Sequence, residues 1–443
     1  MKPRWMVGVA ALAVAVLIGA GLWISARRPP PNVVFILGCT LRRDQLSPYE
    51  APPEVSPFLT EVRQQGTLFT DLVASSSWTK ESSTAIFTGH QAATVGMTEP
   101  ARKHSTRILP ERLTTLAEHL QAAGYDTFGV TANPHLNSLY GFDQGFAAYE
   151  DTSSRGFSTK AKISGKQVVA KGLAFLDSRP QDAAQPFYLQ LVLIDPHQPA
   201  KIAHKLSKPF QREGVSERLA DYRATVHLVD DALRTLDEGL RERGFTPENT
   251  LFVLVADHGE GLNEPEHHRQ QHGRVLYSSL TSVPWILRGP GVAADHTVTG
   301  LASHLDVLPT VLDLAGLETP PLQGQSWATA VAGWRSATSR SRAFTETWYF
   351  GANRAAILTD ETACQRDWGS VGITEDTFVE GCFDRIADPQ WSAVIEPDHA
   401  LMTELESWRA ENTAAYEAGG PAEDASEAVG TREQLKALGY VED

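Results

Sequence analysis

Three cysteines in 443 residues are too few for a disulfide framework, and an odd number leaves at least one thiol unpaired. Basic charge is also short. Lys and Arg number 39 against 54 Asp and Glu, a net charge of −15, which argues against a nucleic-acid partner whose binding would rest on neutralised phosphates. The chain has no internal repeats, and long uncharged runs are missing except at one place. Residues 5–24, Trp5 to Ile24, are about 20 mostly apolar positions, enough to cross a bilayer. Lys2 and Arg4 precede them and Arg27 and Arg28 follow. The sequence ISARR is a poor cleavage site, so an uncleaved membrane anchor is expected rather than a signal peptide. The short N-terminus then stays inside, although Arg27 and Arg28 oppose that bias, and the rest of the chain lies outside the cytoplasm, periplasmic or at the cell surface. There Cys364 and Cys382, the pair close in sequence, have the chance to form a disulfide, with Cys39 left free.

What is present fits a globular chain: 42% hydrophobic and 21% charged residues, enough for one large domain or a large one with a smaller companion. NVVFILG, FYLQLVLI and LFVLVA are unbroken apolar runs, the pattern of strands buried on both faces of a parallel sheet. Between them lie helical patterns: Ser56 to Gly66, Pro110 to Gly124, Phe157 to Asp177 and Ser216 to Arg243. TFGVTA and VPWILRGPG add strands and HLDVLPTVLDLAG a helix. This alternation predicts an α/β fold, a mostly parallel central sheet covered by helices on both faces, with a smaller C-terminal α+β subdomain. The expected divisions are 1–31 (anchor and linker), 32–335 (main domain) and 336–443. Glu411 to Gly430 reads as a mobile acidic loop, and Gly141 to Glu150 as an aromatic-rich loop.

The strands end in polar chemistry. Cys39 and Thr40 follow the first, Asp195 and His197 the FYLQLVLI strand, and Asp257 and His258 the LFVLVA strand, with Gly259 and Gly261 allowing close approach to a ligand. Open α/β sheets bind ligands at such strand ends. A carboxylate beside an imidazole suits a divalent transition metal better than calcium. A hydroxyl-rich turn, Ser75 to Ser83, and His272 one loop further on complete the constellation.

In order, CTLRRD, WTKESSTAIFTG, DPHQP, DHGEG, QHGRVLY and VPWILRGPG resemble the motifs of the sulfatases in the alkaline phosphatase superfamily, from about Asn32 to Trp327, and the terminal LKALGYVE is similar to that group's ending. The resemblance implies a metal-dependent hydrolase of sulfuric or phosphoric esters. It places metal ligands at Asp257 and His258, with Cys39 and Thr40 as further candidates, and the nucleophile at Thr79. His197 and His272 would stabilise the transferred group or protonate the leaving oxygen. Lys80 adds charge or faces water, and Ser82 and Ser83 would form an anion site at a helix start. One divalent ion is expected, and a second is possible at Asp195, His197 and His272. The expected partner is a small-molecule, glycan or lipid ester of sulfate or phosphate.

Three positions depart from the family pattern. Cys39 stands where an acidic ligand belongs, which favours zinc or manganese over calcium or leaves the site impaired. Thr79 cannot be oxidised to formylglycine and resembles the nucleophile of the nucleotide pyrophosphatases and lipoteichoic acid synthases. Glu81 and Ser83 replace a proline and a basic residue, and Glu81 would set negative charge near an anionic substrate. The alternative function is therefore a sulfatase-fold anion-binding protein without turnover.

Overall fold

A computed structural model describes residues 29–98, 106–151, 164–180, 183–198, 204–264, 272–334, 340–371 and 378–424. The expected anchor, the beginning of the Phe157 to Asp177 helix and the terminal LKALGYVE lie outside these residues. Among the described residues no helix is long and apolar enough to cross a membrane.

From the first strand the order is β1 (Asn32–Gly38), α1 (Pro57–Gln64), β2 (Thr67–Val73), α2 (Thr79–Thr88), α3 (Leu116–Ala122), β3 (Asp126–Thr131) and β4 (Ala148–Glu150). Next come α4 (Gly165–Asp177), β5 (Phe187–Leu193), α5 (Glu217–Glu242), β6 (Thr250–Ala256), β7 (Ser282–Val283), β8 (Trp285–Arg288), β9 (His296–Ser303) and α6 (Val307–Leu314). The described strands form one sheet in the order β4-β3-β5-β1-β6-β8-β2-β7, with β9 on the other side of β2. β4, β3, β5, β1 and β6 are mutually parallel; β8 runs against both β6 and β2. Two reversals restore direction, so β2 and its parallel partner β9 end on the same edge as β1, β5 and β6. Every residue of β5 and β6 is buried, as their apolar runs predict for strands covered on both faces.

Several expectations shift. Pro110 does not begin a helix; α3 starts at Leu116, because Thr115 and Glu118 cap it reciprocally, each side chain taking the other's backbone amide. The aromatic-rich stretch ends in β4, which pairs with β3. Ser56 makes no side-chain cap for α1, since its hydroxyl accepts from Ser47 N. Instead the buried Asp230 of α5 receives the amides of Phe58 and Leu59, both at 2.9 Å. Gly259 serves the backbone rather than a ligand: a Cβ there would lie 1.9 Å from the Ser279 carbonyl oxygen.

The C-terminal stretch holds an antiparallel sheet, β10 (Ala343–Thr347), β11 (Arg354–Leu358), β12 (Thr362–Asp367) and β13 (Gly381–Asp384), and a helix, α7 (His399–Gly419). Cys364 and Cys382 are directly opposite on β12 and β13 and are joined by a disulfide. Cys39 is a free, buried thiol. The acidic segment from Glu411 is no loop over its first residues. Asp398 caps α7 through the amides of Ala400 and Leu401, and the helix continues to Gly419 with Leu401, Leu405, Arg409 and Asn412 on its buried side.

The remote cap on α1 gives a direct check. Asp230→Ala removes the acceptor for two buried amides and is expected to lower stability by about 1–2 kcal/mol, in the range of a lost N-cap. Chemical denaturation of the variant against the parent measures it, and an unchanged midpoint and slope would refute the assignment.

Candidate functional site

The site begins with one carboxylate. Asp257, at the end of β6, is fully buried, and its Oδ1 accepts the amides of Thr40 at 2.9 Å and of its neighbour His258 at 2.8 Å. The exit of β1 is thereby tied to the exit of β6. Thr40 has φ of +56°, a left-handed conformation that a β-branched residue rarely adopts. Its surroundings hold it there: Asp257 takes its amide, its hydroxyl donates to Cys39 O at 2.7 Å, and Tyr222 Oη donates to its carbonyl at 2.6 Å. The Cys39 sulfur accepts from Asn133 Nδ2 at 3.2 Å. Burial first, and the nearby Asp257 charge second, push the thiol well above its ordinary pKa.

The position that the family resemblance gives to the nucleophile lies across from this pair. β2 ends at Val73, and α2 starts at Thr79, with the turn Ser75–Trp78 between them. Thr79 is the first helical residue, and its Oγ1 is 3.3 Å from His258 Nε2. His258 Nδ1 is 2.8 Å from Gly259 O, and a carbonyl only accepts. A proton is therefore on Nδ1, and Nε2 faces Thr79 and lies 3.5 Å from Asp257 Oδ2.

Two more imidazoles border the same space. His272 is packed against His258, ring centres 4.8 Å apart, and against His197 at 4.9 Å. His197 Nδ1 is 2.6 Å from Gln198 O, and His272 Nδ1 is 2.9 Å from the buried Glu260 Oε1. Glu260 also takes the Gln198 amide at 3.1 Å, and burial raises its pKa above the usual carboxylate range. Trp78 stacks between His272 and Tyr349 of the C-terminal part, and a Cβ on Gly273 would collide with both Tyr349 and Trp78. Glu260 and Trp78 lie inside the motifs DHGEG and WTKESSTAIFTG but are given no role there by sequence, and Tyr349 carries no motif or spacing signal.

Other expected residues are placed differently. Ser82 is not at the mouth of α2 but inside its first turn: its amide bonds to Trp78 O and its hydroxyl to Ser76 O. Ser83 Oγ is buried without a hydrogen-bond partner. The amides that helix geometry leaves over are those of the preceding residues, beginning at Thr79. Lys80 does not face water; it is buried, donates to Arg107 O at 3.3 Å and lies 3.1 Å from the Tyr140 ring centre. Burial holds its amine well below the ordinary lysine range. Glu81 is hydrogen-bonded to Ser76 Oγ, and burial raises its carboxyl to about 8, so near neutral pH it carries a proton rather than a charge. Asp195 Oδ1 accepts the amide of Gly165, the first residue of α4, at 3.0 Å.

A divalent ion fits this arrangement in one respect. Asp257 Oδ2 is a buried carboxylate oxygen without a hydrogen-bond donor, beside an imidazole nitrogen, and such an atom calls for a cation. Among the described residues no three His, Cys, Asp or Glu side chains are grouped around a common point, neither at Cys39, Asp257 and His258 nor at Asp195, His197 and His272. Thr40 in particular spends its hydroxyl proton on its own neighbour's carbonyl.

Known proteins share this architecture. The Sulfatase family matches residues 31–317. Lipoteichoic acid synthase-like YvgJ of Bacillus subtilis is 26% identical over 259 residues, which is 54% of this chain and 39% of that protein. Arylsulfatase K of Mus musculus is 35% identical over 98 residues, 22% of this chain and 17% of that one. The matched stretch is thus well under half the length of both relatives. The solved structure of BT4656 in complex with D-glucosamine-2-N,6-O-disulfate has the same fold, with a TM-score of 0.69 at 18% identity over 90% of this chain and 100% of that one. A family match running from β1 to the end of α6, on a sheet whose strand ends meet at Asp257, His258 and Thr79, makes this chain a member of the sulfatase family in the alkaline phosphatase superfamily.

Proposed function

We propose that the chain is a metal-dependent hydrolase of sulfuric or phosphoric esters in which Thr79 is the nucleophile. The observation that carries this reading is the 3.3 Å approach of Thr79 Oγ1 to His258 Nε2, at the start of a helix and opposite two further imidazoles. The helix start favours an anion through its unpaired amides and dipole. Asp257 Oδ2 and His258 Nε2 are the groups that would hold the ion, and the Cys39 sulfur would join them only by losing its proton and moving toward that pair. When bound, the ion makes the Thr79 hydroxyl more acidic and neutralises charge on the ester oxygens. The O, N and S donor set favours zinc or manganese over calcium.

In the reaction so read, Thr79 Oγ gives up its hydroxyl proton to solvent and bonds to sulfur or phosphorus as the bond to the leaving oxygen breaks, and that oxygen takes a proton from His272 or His197. Water then attacks the threonyl ester, giving one proton to the imidazole while the freed Thr79 oxygen takes one back from solvent. A threonine has no geminal hydroxyl with which to expel sulfate, so release depends on this second attack. Sulfated sugars are the substrate class we favour, because BT4656 was solved with a disulfated glucosamine. The Cys364–Cys382 disulfide supports a location outside the cytoplasm, where such bonds persist, and the similarity to YvgJ agrees with it. Membrane attachment through residues 5–24 is part of the same proposal. A second reading, anion binding without turnover, draws on the raised pKa of the Cys39 thiol and on the absence of a three-ligand group among the described residues.

Turnover decides between them. With aryl sulfate, phosphate and phosphodiester substrates and added zinc, manganese or calcium, Thr79→Ala is expected to lower kcat at least about 100-fold, while Thr79→Ser keeps measurable activity. No Thr79-dependent turnover on any substrate would retire the hydrolase and leave the binding protein. A chelator provides the second measurement: it is expected to abolish activity, with zinc or manganese restoring it. One Nε2 lone pair cannot hold an ion and accept the Thr79 proton at once. Activity that survives complete removal of metal would therefore make His258 a base instead of a ligand.

A further inference from the structure

The turn that presents Thr79 is closed locally by Ser82, whose hydroxyl accepts Ser76 N at 3.2 Å and donates to Ser76 O at 2.7 Å, and by His304, which accepts Ser75 N at 3.1 Å. Trp78, the residue before α2, offers no side-chain cap, and the Trp78 amide bonds to Ser76 Oγ at 3.1 Å. A second set of supports comes from the far end of the chain. Ser76 pairs as a short parallel bridge with Glu346 of β10, and the Glu346 amide donates to Ser75 O at 3.0 Å. The Glu346 side chain continues the work. Its Oε1 accepts from Gln91 Nε2 at 3.0 Å and from Ala93 N at 3.3 Å, and Gln91 Nε2 also reaches Ser75 O at 3.3 Å. Its Oε2 accepts from Trp348 Nε1 at 3.0 Å and from Arg409 Nη1 of α7 at 3.1 Å.

Arg409 is itself buried, its guanidinium 3.6 Å from the Trp348 ring centre and 5.5 Å from that of Trp368, with Nη2 bonded to Asn353 Oδ1. A guanidinium on a helix otherwise lined by Leu401 and Leu405 is costly to bury unless a carboxylate meets it. Glu346 is that carboxylate, and Glu81 is the neighbouring one, already bonded to Ser76 Oγ. Two carboxyls and one guanidinium thus enclose the segment Ser75–Glu81 between the large sheet and the C-terminal part.

We propose that Arg409 and Glu346 are positioning residues for the nucleophile turn, so that α7 and β10 set where Thr79 Oγ1 stands relative to His258. This rests on the reading of Thr79 as nucleophile. Removing Arg409 leaves Glu346 a buried charge without its partner. The carboxylate must then find a proton or move, and either outcome loosens its grip on Ser75, Gln91 and Ala93. A displacement of about 1 Å at the reacting atom is enough to cost about 100-fold in rate.

The test uses the full chain, comparing Arg409→Met and Arg409→Lys with the parent by steady-state kinetics on an ester that shows Thr79-dependent turnover, and by amide hydrogen exchange of peptides covering 75–88. Arg409→Met is expected to lower kcat about 100-fold with KM within about threefold, and to speed exchange of 75–88 about tenfold while β1 and β6 keep their protection. Arg409→Lys, which keeps the charge but not the planar fork, is expected to recover about a tenth of the parent kcat. Should Arg409→Met fail to fold, Glu346→Gln undergoes the same two measurements with the same expected split. Unchanged exchange of 75–88 overturns the proposal, as does an equal loss of protection throughout or an effect on KM alone. If the parent itself turns over no ester, the nucleophile reading has failed, and exchange alone then decides whether Arg409 holds this turn.

Discussion

The site depends on a single carboxylate oxygen that accepts two amides. Asp257 Oδ1 receives Thr40 N from the end of β1 and His258 N from its own strand, so two neighbouring parallel strands end at one fixed point. Parallel neighbours naturally bring their C-terminal ends together, yet the chain must leave each strand in a chosen direction. Thr40 does so in a left-handed conformation whose cost is on the order of 1–3 kcal/mol, and it persists because Asp257 and Tyr222 hold it on both sides. The strained residue and the ion-seeking oxygen, Asp257 Oδ2, are therefore consequences of one contact.

A second regularity concerns the imidazoles. His258, His197 and His272 each engage Nδ1, two of them with a carbonyl of the following residue and one with Glu260. An engaged Nδ1 fixes how each ring is turned, and in His258 it turns Nε2 toward Thr79. His304 makes the contrast. It is fully buried, accepts Ser75 N at 3.1 Å, and reaches Ala256 O at 3.0 Å through its other nitrogen. Both nitrogens are spent on backbone, and burial lowers its pKa to about 3, so it joins the end of β6 to the turn before α2 as a neutral spacer. Four histidines lie close together, and His304 differs from the other three in bonding to backbone through both of its nitrogens in the bonds described.

Much of the fold is legible in sequence because buried parallel strands are unbroken apolar runs: β1, β5 and β6 stand out, and with them Cys39, Thr40, Asp257 and His258 at their ends. β2 and β9 do not. TLFTDLV and HTVTGLAS mix polar and apolar residues without a clean period, since each is partly exposed, and so the convergence of His304 with the turn is invisible. The helix α7 escaped for a related reason. Its buried stripe reads Leu401, Leu405, Arg409, Asn412, and the polar half of that stripe erases the apolar periodicity by which a helix is recognised. The residues that tie the C-terminal part to the nucleophile turn are the same ones that disguise the element carrying them.

The departures from the family pattern also change meaning once charge is counted in place. In sequence, Glu81 adds a negative charge where an anionic ester must bind, and Cys39 subtracts a ligand. In the fold, burial raises Glu81 to about 8 and leaves it protonated near neutrality, bonded to Ser76 and facing the Glu346–Arg409 pair. The Cys39 thiol, also raised by burial, is neutral as well. Relative to a carboxylate at position 39, the pocket has lost one negative charge, and Glu81 has not restored it. The negative field of this pocket is therefore weaker than a count of residue letters gives, and Asp257 is the carboxylate left to set it.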